Sequence, residues 1–233
     1  MRDDELARVR DLPLFSTMNR DNFDRLVPAS FLQRFPTGVQ LITEGDSADF
    51  LHVVVDGSVE LFANANNRET TVALLQPVTA FILAAVLKDM IYLMSARTLE
   101  DSRILMIPAE QIRDTMDDDP AFCAAMVREL ARGFRTMVKT VKNQKLRTAA
   151  ERLANYLLAL DGKQGGNGEI ELPYGKRLLA SYLGVTPENL SRAFKTLQPY
   201  GVRTERAMVY LDKRGDLTEF AKPTPLIDAT EEW

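Results

Sequence analysis

The 233-residue chain has little of what most reaction chemistry requires: one cysteine, one histidine and one tryptophan. A single thiol, Cys123, excludes an internal disulfide framework and fits the reducing cytoplasm. One histidine and one cysteine leave no cluster that could hold a metal ion, and a Ser-His or Cys-His nucleophilic system can be drawn only through His52. An enzyme built on this chain is therefore the weakest of the function classes open to it. Long apolar runs are also missing. Nothing approaches the length of a membrane span, and the opening MRDDELARVRD carries too much charge for a secretory signal. Nor is there a surplus of positive charge, since 29 Lys and Arg face 33 Asp and Glu for a net of −4. What is present is 45% hydrophobic and 27% charged residues, a globular composition long enough for two separate cores.

The charge is unevenly placed. Residues 1–110 carry a net of −6, residues 111–146 a net of +2, residues 147–222 a net of +3 and the tail 223–233 a net of −3. The hydrophobic pattern changes at the same places. Residues 3–28 read as short helices, with Asn19 or Arg20 at the start of the second. From Phe31 the period becomes that of strands, in QRFPTGVQLITEGD, ADFLHVVVDGSVELFAN, ETTVALLQPV and two more strands through SARTLEDSRILMIPAEQI. Turns fall at Pro36–Gly38, Gly45–Asp46, Asp56–Gly57 and 64–67, and short strands at that spacing predict an antiparallel β-roll or jelly roll. Acidic residues and Pro120 then restart a helix over 121–145. Its apolar residues Val127, Leu130, Phe134, Met137 and Val141 alternate three and four apart, which is the seam of a coiled coil and predicts a dimer interface. The alternative is a helix buried within one chain. The dense outer cations Arg128, Arg132, Arg135, Lys139 and Lys142 favour the dimer. Residues 143–147 read as a polar hinge, and 223–233 as a loosely held acidic tail.

Residues 176–197, KRLLASYLGVTPENLSRAFKTL, read as two helices about a tight turn at Gly184. Thr186 is the cap of the second helix, Pro187 its first residue, and Glu188 sits where the helix dipole favours a negative charge. Leu190, Phe194 and Leu197 are spaced to pack inward. Glu188, Asn189, Ser191, Arg192 and Lys195 are left outward. Such a face can enter a major groove, where arginine reads guanine and glutamate accepts from cytosine. The positive surplus lies in the same part of the chain, as phosphate contact requires. Strand patterns at 202–204 and 208–212 supply a two-stranded wing. The expected architecture is α+β: a roll over 1–110, a dimerisation helix and hinge over 111–146, a winged helix-turn-helix over 147–222, and the tail.

That order resembles the CRP/FNR superfamily of bacterial transcription regulators over nearly the whole chain. Gly38-x5-Glu44-Gly45-Asp46-x-Ala48-Asp49-Phe50, continuing to Asp56-Gly57-Ser58-Val59, is similar to the family's cyclic-nucleotide-binding-type roll. Glu188-Asn189-Leu190-Ser191-Arg192 matches the E-x-x-S-R pattern that reads TTGAT half-sites in FNR-like members. The resemblance implies a homodimer that binds double-stranded DNA through Thr186, Glu188, Asn189, Ser191, Arg192 and Lys195, gates it with an effector in the roll, and works with RNA polymerase. Two familiar effectors do not fit. Members that bind cAMP carry a glutamate in a Gly-Glu-Leu turn and an arginine about ten residues later. This chain has Met94 at the arginine's place and no glutamate in the turn, and a cyclic phosphate buried without a cation is costly. Members that hold a [4Fe–4S] cluster use a group of N-terminal cysteines, and here none precedes Cys123. The segment FILAAVLKDMIYLMSARTL resembles the DNR/NnrR branch, nitric-oxide-responsive regulators thought to use haem. The resemblance then implies an apolar effector pocket at Phe81, Leu83, Leu87, Leu93 and Met94, with an empty packed core as the alternative. His52 is read as a strand histidine with a hydrogen-bond partner in preference to a haem ligand. A cyclic-nucleotide-responsive regulator and a roll that binds proteins rather than DNA are the competing functions.

Overall fold

The computed structural model describes residues 3–229. They divide into two compact units, the first ending at Gly133 and the second beginning at Phe134.

The first unit begins with helices α1 (Asp3–Arg10) and α2 (Arg20–Leu26), the latter capped by Asn19 as expected. Eight strands follow: β1 (Phe31–Phe35), β2 (Gln40–Ile42), β3 (Phe50–Asp56), β4 (Val59–Ala65), β5 (Arg68–Leu75), β6 (Thr79–Phe81), β7 (Ser95–Thr98) and β8 (Ser102–Pro108). They build two four-stranded antiparallel sheets, β1-β8-β3-β6 and β2-β7-β4-β5. This is the roll that the alternating pattern predicts. β3 is apolar almost throughout because both of its faces are covered. Leu51 and Val53 pair with Ile107 and Leu105, and all four are at most 1% exposed. The β3–β4 turn depends on Gly57, whose φ is +83° and where an added Cβ would lie 2.3 Å from Ser102 Oγ.

Two helices in this unit escape the strand reading. The six-residue α3 (Leu83–Lys88) lies between β6 and β7. α4 (Ala109–Asp118) begins directly after Pro108, which ends the β8 strand, and buries Ile112 completely. The long helix α5 (Pro120–Leu146) follows. Asp119 is its cap and more. Its Oδ1 accepts from the backbone N–H groups of Ala121 and Phe122 at 3.0 Å each, and its Oδ2 accepts from Asn19 N at 2.8 Å and Asn22 Nδ2 at 3.1 Å. One carboxylate therefore starts α5 and ties it to α2. Burial pushes the Asp119 carboxyl up, but these hydrogen bonds outweigh burial and hold it below its ordinary 3.8. Asp119→Ala should cost about 1–3 kcal/mol by leaving buried donors unpaired. Because the folded-state value is depressed, that contribution is complete above 3.8 and fades as pH falls through the folded value. Urea titrations of wild type and variant should converge in strongly acidic buffer; a gap independent of pH would show that the carboxylate is not the source.

The second unit contains the rest of α5, then α6 (Ala149–Lys163), β9 (Glu169–Glu171), α7 (Lys176–Tyr182), α8 (Pro187–Leu197), β10 (Val202–Glu205), β11 (Met208–Leu211), α9 (Arg214–Ala221) and α10 (Pro225–Asp228). The strands form one sheet, β10-β11-β9. Leu153, Leu157, Ile170, Leu197, Val209 and Leu217 make a core with no exposed surface. α6 opens with a full capping box, Thr148 and Glu151 each bonding the other's backbone.

The tail and the hinge both differ from expectation. α5 stays helical through 143–146, so the chain breaks only at Arg147 and Thr148. The tail, expected to be loose, is pinned as far as Ala229; residues 230–233 lie outside the described residues. Asp228 grips Arg147 with two bonds of 2.7 and 2.6 Å, and Lys142 Nζ and Lys139 Nζ donate to the carbonyls of Leu226 and Ala229. No helix among the described residues is long and apolar enough to cross a membrane.

Candidate nucleic-acid interface

Local chemistry positions the two helices about the turn. Gly184 adopts φ +65°, which lets its N–H reach Ser181 O at 2.9 Å while Val185 N bonds Ala180 O. Leu179 and Ala180 are 1% exposed, so α7 and α8 cross closely over a small residue. Thr186 caps α8 by accepting from Asn189 N at 3.2 Å, with Pro187 at the first helical position. Leu190, Ala193 and Leu197 are buried. Phe194, expected inward, is only half-buried, with Lys176 Nζ 5.8 Å from its ring centroid.

The structure brings all six expected DNA-facing residues together on the exposed side of α8 and its cap: Thr186, Glu188, Asn189, Ser191, Arg192 and Lys195. Glu188 stands exposed in the first turn of α8. Its own backbone N–H, then the Thr186 hydroxyl, then the charge of Arg192 hold its carboxyl below the usual range, so it stands ionised as an acceptor. Ser191 Oγ donates to Pro187 O at 3.0 Å, which leaves its lone pairs outward. Arg192 makes no ion pair among the described residues. A cationic group that the helix pattern did not indicate is Arg206, exposed at the β10–β11 tip with φ +56°. Its neighbour Arg203 is occupied by Asp212 at 3.3 Å, by Glu205 and by the Tyr210 ring. The only sequence signal for Arg206 was its place between two alternating stretches.

The five seam residues lie exposed along α5: Val127 56%, Leu130 40%, Phe134 70%, Met137 46% and Val141 41%. Val138 and Leu146 add to this apolar surface.

Of the five residues of the expected effector lining, four lie in or against the roll core and one is exposed. Phe81 and Leu83 are packed in the roll core, Leu87 and Met94 are half-buried, and Leu93 is 73% exposed. Leu93 follows the short α3, which absorbs Leu83 and Leu87 and leaves the next loop outside. A recess of about 550 Å3 lies elsewhere in the roll, lined in part by Leu41, Ile42, Phe50, His52, Tyr92 and Met106. His52 is 4% exposed, and burial pushes its pKa down to about 4, so the imidazole is neutral at ordinary pH. Its Nδ1 has no hydrogen-bond partner among the described residues, while a hydrogen bond to the Phe50 backbone opposes the effect of burial. Arg97, three residues beyond Met94, is no substitute for a phosphate-binding cation. It donates to Glu60 and Glu69 at 2.7 Å each and stacks on the Phe62 ring.

A β-roll followed by a winged helix-turn-helix with a polar, capped second helix defines a DNA-binding regulator. Comparison with known proteins agrees. Residues 32–119 match the cyclic nucleotide-binding domain and residues 151–220 the Crp-like helix-turn-helix domain. The chain is 24% identical over 202 residues to the transcriptional activator protein Anr of Pseudomonas aeruginosa, covering 82% of this chain and 80% of that one. It superposes on a candidate cAMP-binding regulatory protein from Silicibacter pomeroyi DSS-3 with TM-score 0.59 and 28% identity, over 95% of this chain and 100% of that one. FixK2 from Bradyrhizobium japonicum shares the fold at TM-score 0.69 and 20% identity, over 87% and 99% of the two chains. The chain is a CRP/FNR-type DNA-binding transcription regulator.

Proposed function

We propose that the chain acts as a homodimer that reads paired FNR-like TTGAT half-sites, with an effector other than cAMP gating it through the roll. The observation that carries this reading is the single exposed face of α8, where Glu188 and Arg192 stand one turn apart beside Ser191 and Lys195. Arginine then donates to guanine and glutamate accepts from the paired cytosine, while Lys195 holds phosphate. The exposed α5 seam supports pairing of two chains, which sets the half-sites about one helical turn apart. Membership of the DNR/NnrR branch and a partnership with RNA polymerase rest on resemblance alone.

Fluorescence anisotropy with a duplex bearing two TTGAT half-sites tests the reading, since a scrambled duplex should bind at least 100-fold more weakly at the same salt. Lys195→Ala should weaken both duplexes alike and lower the salt slope by about one unit per contact removed. Equal affinity for the two duplexes would leave a DNA binder with some other site.

A cyclic-nucleotide-responsive regulator is the second reading, favoured by the match of residues 32–119 to the cyclic nucleotide-binding domain. Met94 and the committed Arg97 weigh against it. Calorimetric titration with cAMP should give no saturable heat; a stoichiometric micromolar isotherm would restore this reading.

A further inference from the structure

The recess beside His52 takes no part in reading DNA, and its lining is chemically one-sided. Leu41, Ile42, Phe50 and Met106 give it apolar walls. Its only charged side chains are Asp46 and Asp49, and no lysine or arginine lines it. Both carboxylates are exposed, and neither makes an ion pair or a hydrogen bond among the described residues. Their backbone is nevertheless fixed. Tyr92 N donates to Asp46 O, Gly45 N to Tyr92 O and Ala109 N to Asp49 O, each at 2.8 Å. The 45–49 loop is thereby laced to Tyr92 and to the start of α4, so little ordering remains to be done when a ligand arrives. Tyr92 Oη donates to Phe50 O at 3.1 Å. Burial pushes its phenol up, the bond to Phe50 opposes this, and the charges of Asp49 and Asp46 add to it, so Tyr92 stays uncharged.

His52 is an independent sign of a ligand. It is 4% exposed, and its ring is fixed between those of Phe50 and Phe81 at centroid distances of 6.5 and 5.4 Å. Its Nδ1 has no hydrogen-bond partner among the described residues. A buried polar atom left so is uncommon in a folded protein, and a ligand can supply what is missing. The imidazole is neutral, so it does not offset the two carboxylates. That charge pattern disfavours an anion. A divalent metal is poorly served as well, since no three His, Cys, Asp or Glu converge among the described residues and calcium takes about six to eight oxygen ligands. An organic ammonium ion meets each feature. It brings N–H donors for the carboxylates and the imidazole, and a hydrocarbon or aromatic body for the walls. The rings of Phe50 and Tyr92 favour its charge further.

We propose that this recess binds a small organic ammonium ion with an apolar body, its head held by Asp46 and Asp49 and its length by Phe50, Met106 and the His52 ring. The site shares no lining residue with the effector pocket that the family resemblance implies. It rests on the reading that the roll receives an effector other than cAMP, and it gives that effector a chemical class.

Calorimetry on the full chain tests this with phenethylamine, which is protonated at neutral pH. It should give a saturable isotherm with one site per chain. Phenylacetate, which carries a carboxylate on a similar body, and calcium chloride should give none. With isotopically labelled methionine methyl groups, the Met106 resonance, assigned by its loss in Met106→Leu, should shift as the site fills. Asp46→Asn combined with Asp49→Asn should raise Kd by roughly tenfold or more, and the fold is not at stake because both side chains are exposed. His52→Phe, which keeps an aromatic ring, should raise it by roughly threefold or more. Asp56→Asn, at an exposed carboxylate outside the lining, should leave it unchanged. Phenethylamine that fails to saturate, that binds the doubly substituted protein equally well, or that phenylacetate matches would overturn the proposal. Saturable calcium binding at the same residues would replace it with a metal site. These titrations contain no DNA, so loss of the site would leave the half-site reading standing. Anisotropy with the paired TTGAT duplex at saturating phenethylamine tests the gating alone, and an unchanged affinity there would remove ligand control while keeping the site.

Discussion

Leu130→Lys should convert the protein to monomers in sedimentation at micromolar concentration and lower affinity for the paired half-sites by at least 100-fold. Leu130 is 40% exposed in the protomer, so a lysine there extends into water and the far-ultraviolet circular dichroism should not change. The cost arises only on pairing. Two ammonium groups would then face each other among Val127, Phe134, Met137 and Val141 of both chains, at several kcal/mol of desolvation and repulsion with no carboxylate to compensate. Loss of affinity follows without any damage to α8. The second half-site of a dimer binds at the high effective concentration set by the first, and a monomer forfeits that term. Unchanged mass would mean that the seam is covered by something other than a second copy of the chain.

Arg192→Ala carries the other large effect. One bidentate arginine–guanine contact is worth about 1–3 kcal/mol, and a dimer makes it twice, so affinity should fall by roughly 30-fold or more. The diagnostic part is selectivity. Preference at the G·C pair of each half-site should flatten, while the salt slope falls far less than a phosphate-holding lysine would make it fall. Glu188→Ala separates further from both. It relaxes the same base pair with little loss of total affinity, because it also removes a negative charge facing phosphates. If Arg192→Ala kept its sequence preference, the N-terminal half of α8 would not be in the groove.

Local sequence made the helix-turn-helix legible because everything that builds it lies within twenty-odd residues. Gly184 supplies the positive φ, Thr186 the cap, Pro187 the start, and Leu190 and Leu197 the buried stripe. The roll was legible for a similar reason, since strand alternation and turn residues repeat at short range. α3 and α4 were missed because each is short and begins where a strand pattern is still running; Pro108 ends β8 and leads directly into α4. Phe194 was placed too far inward because a spacing of 3.6 residues gives direction around a helix, not depth.

By itself the sequence determined two cores, a roll ahead of a winged helix, an apolar seam on the long helix and a polar face on α8. Periodicity and capping act between near neighbours and are written in order along the chain. Tertiary structure decided the rest. It scattered Phe81, Leu83 and Leu93 between core and surface, and it set His52 beside a recess in which none of the expected pocket residues takes part. It also braced the presumed hinge with Asp228, a partner 81 residues from Arg147. An ion pair at that separation leaves no periodic trace, because its worth arises only when folding has removed both side chains from water and brought them to hydrogen-bond distance.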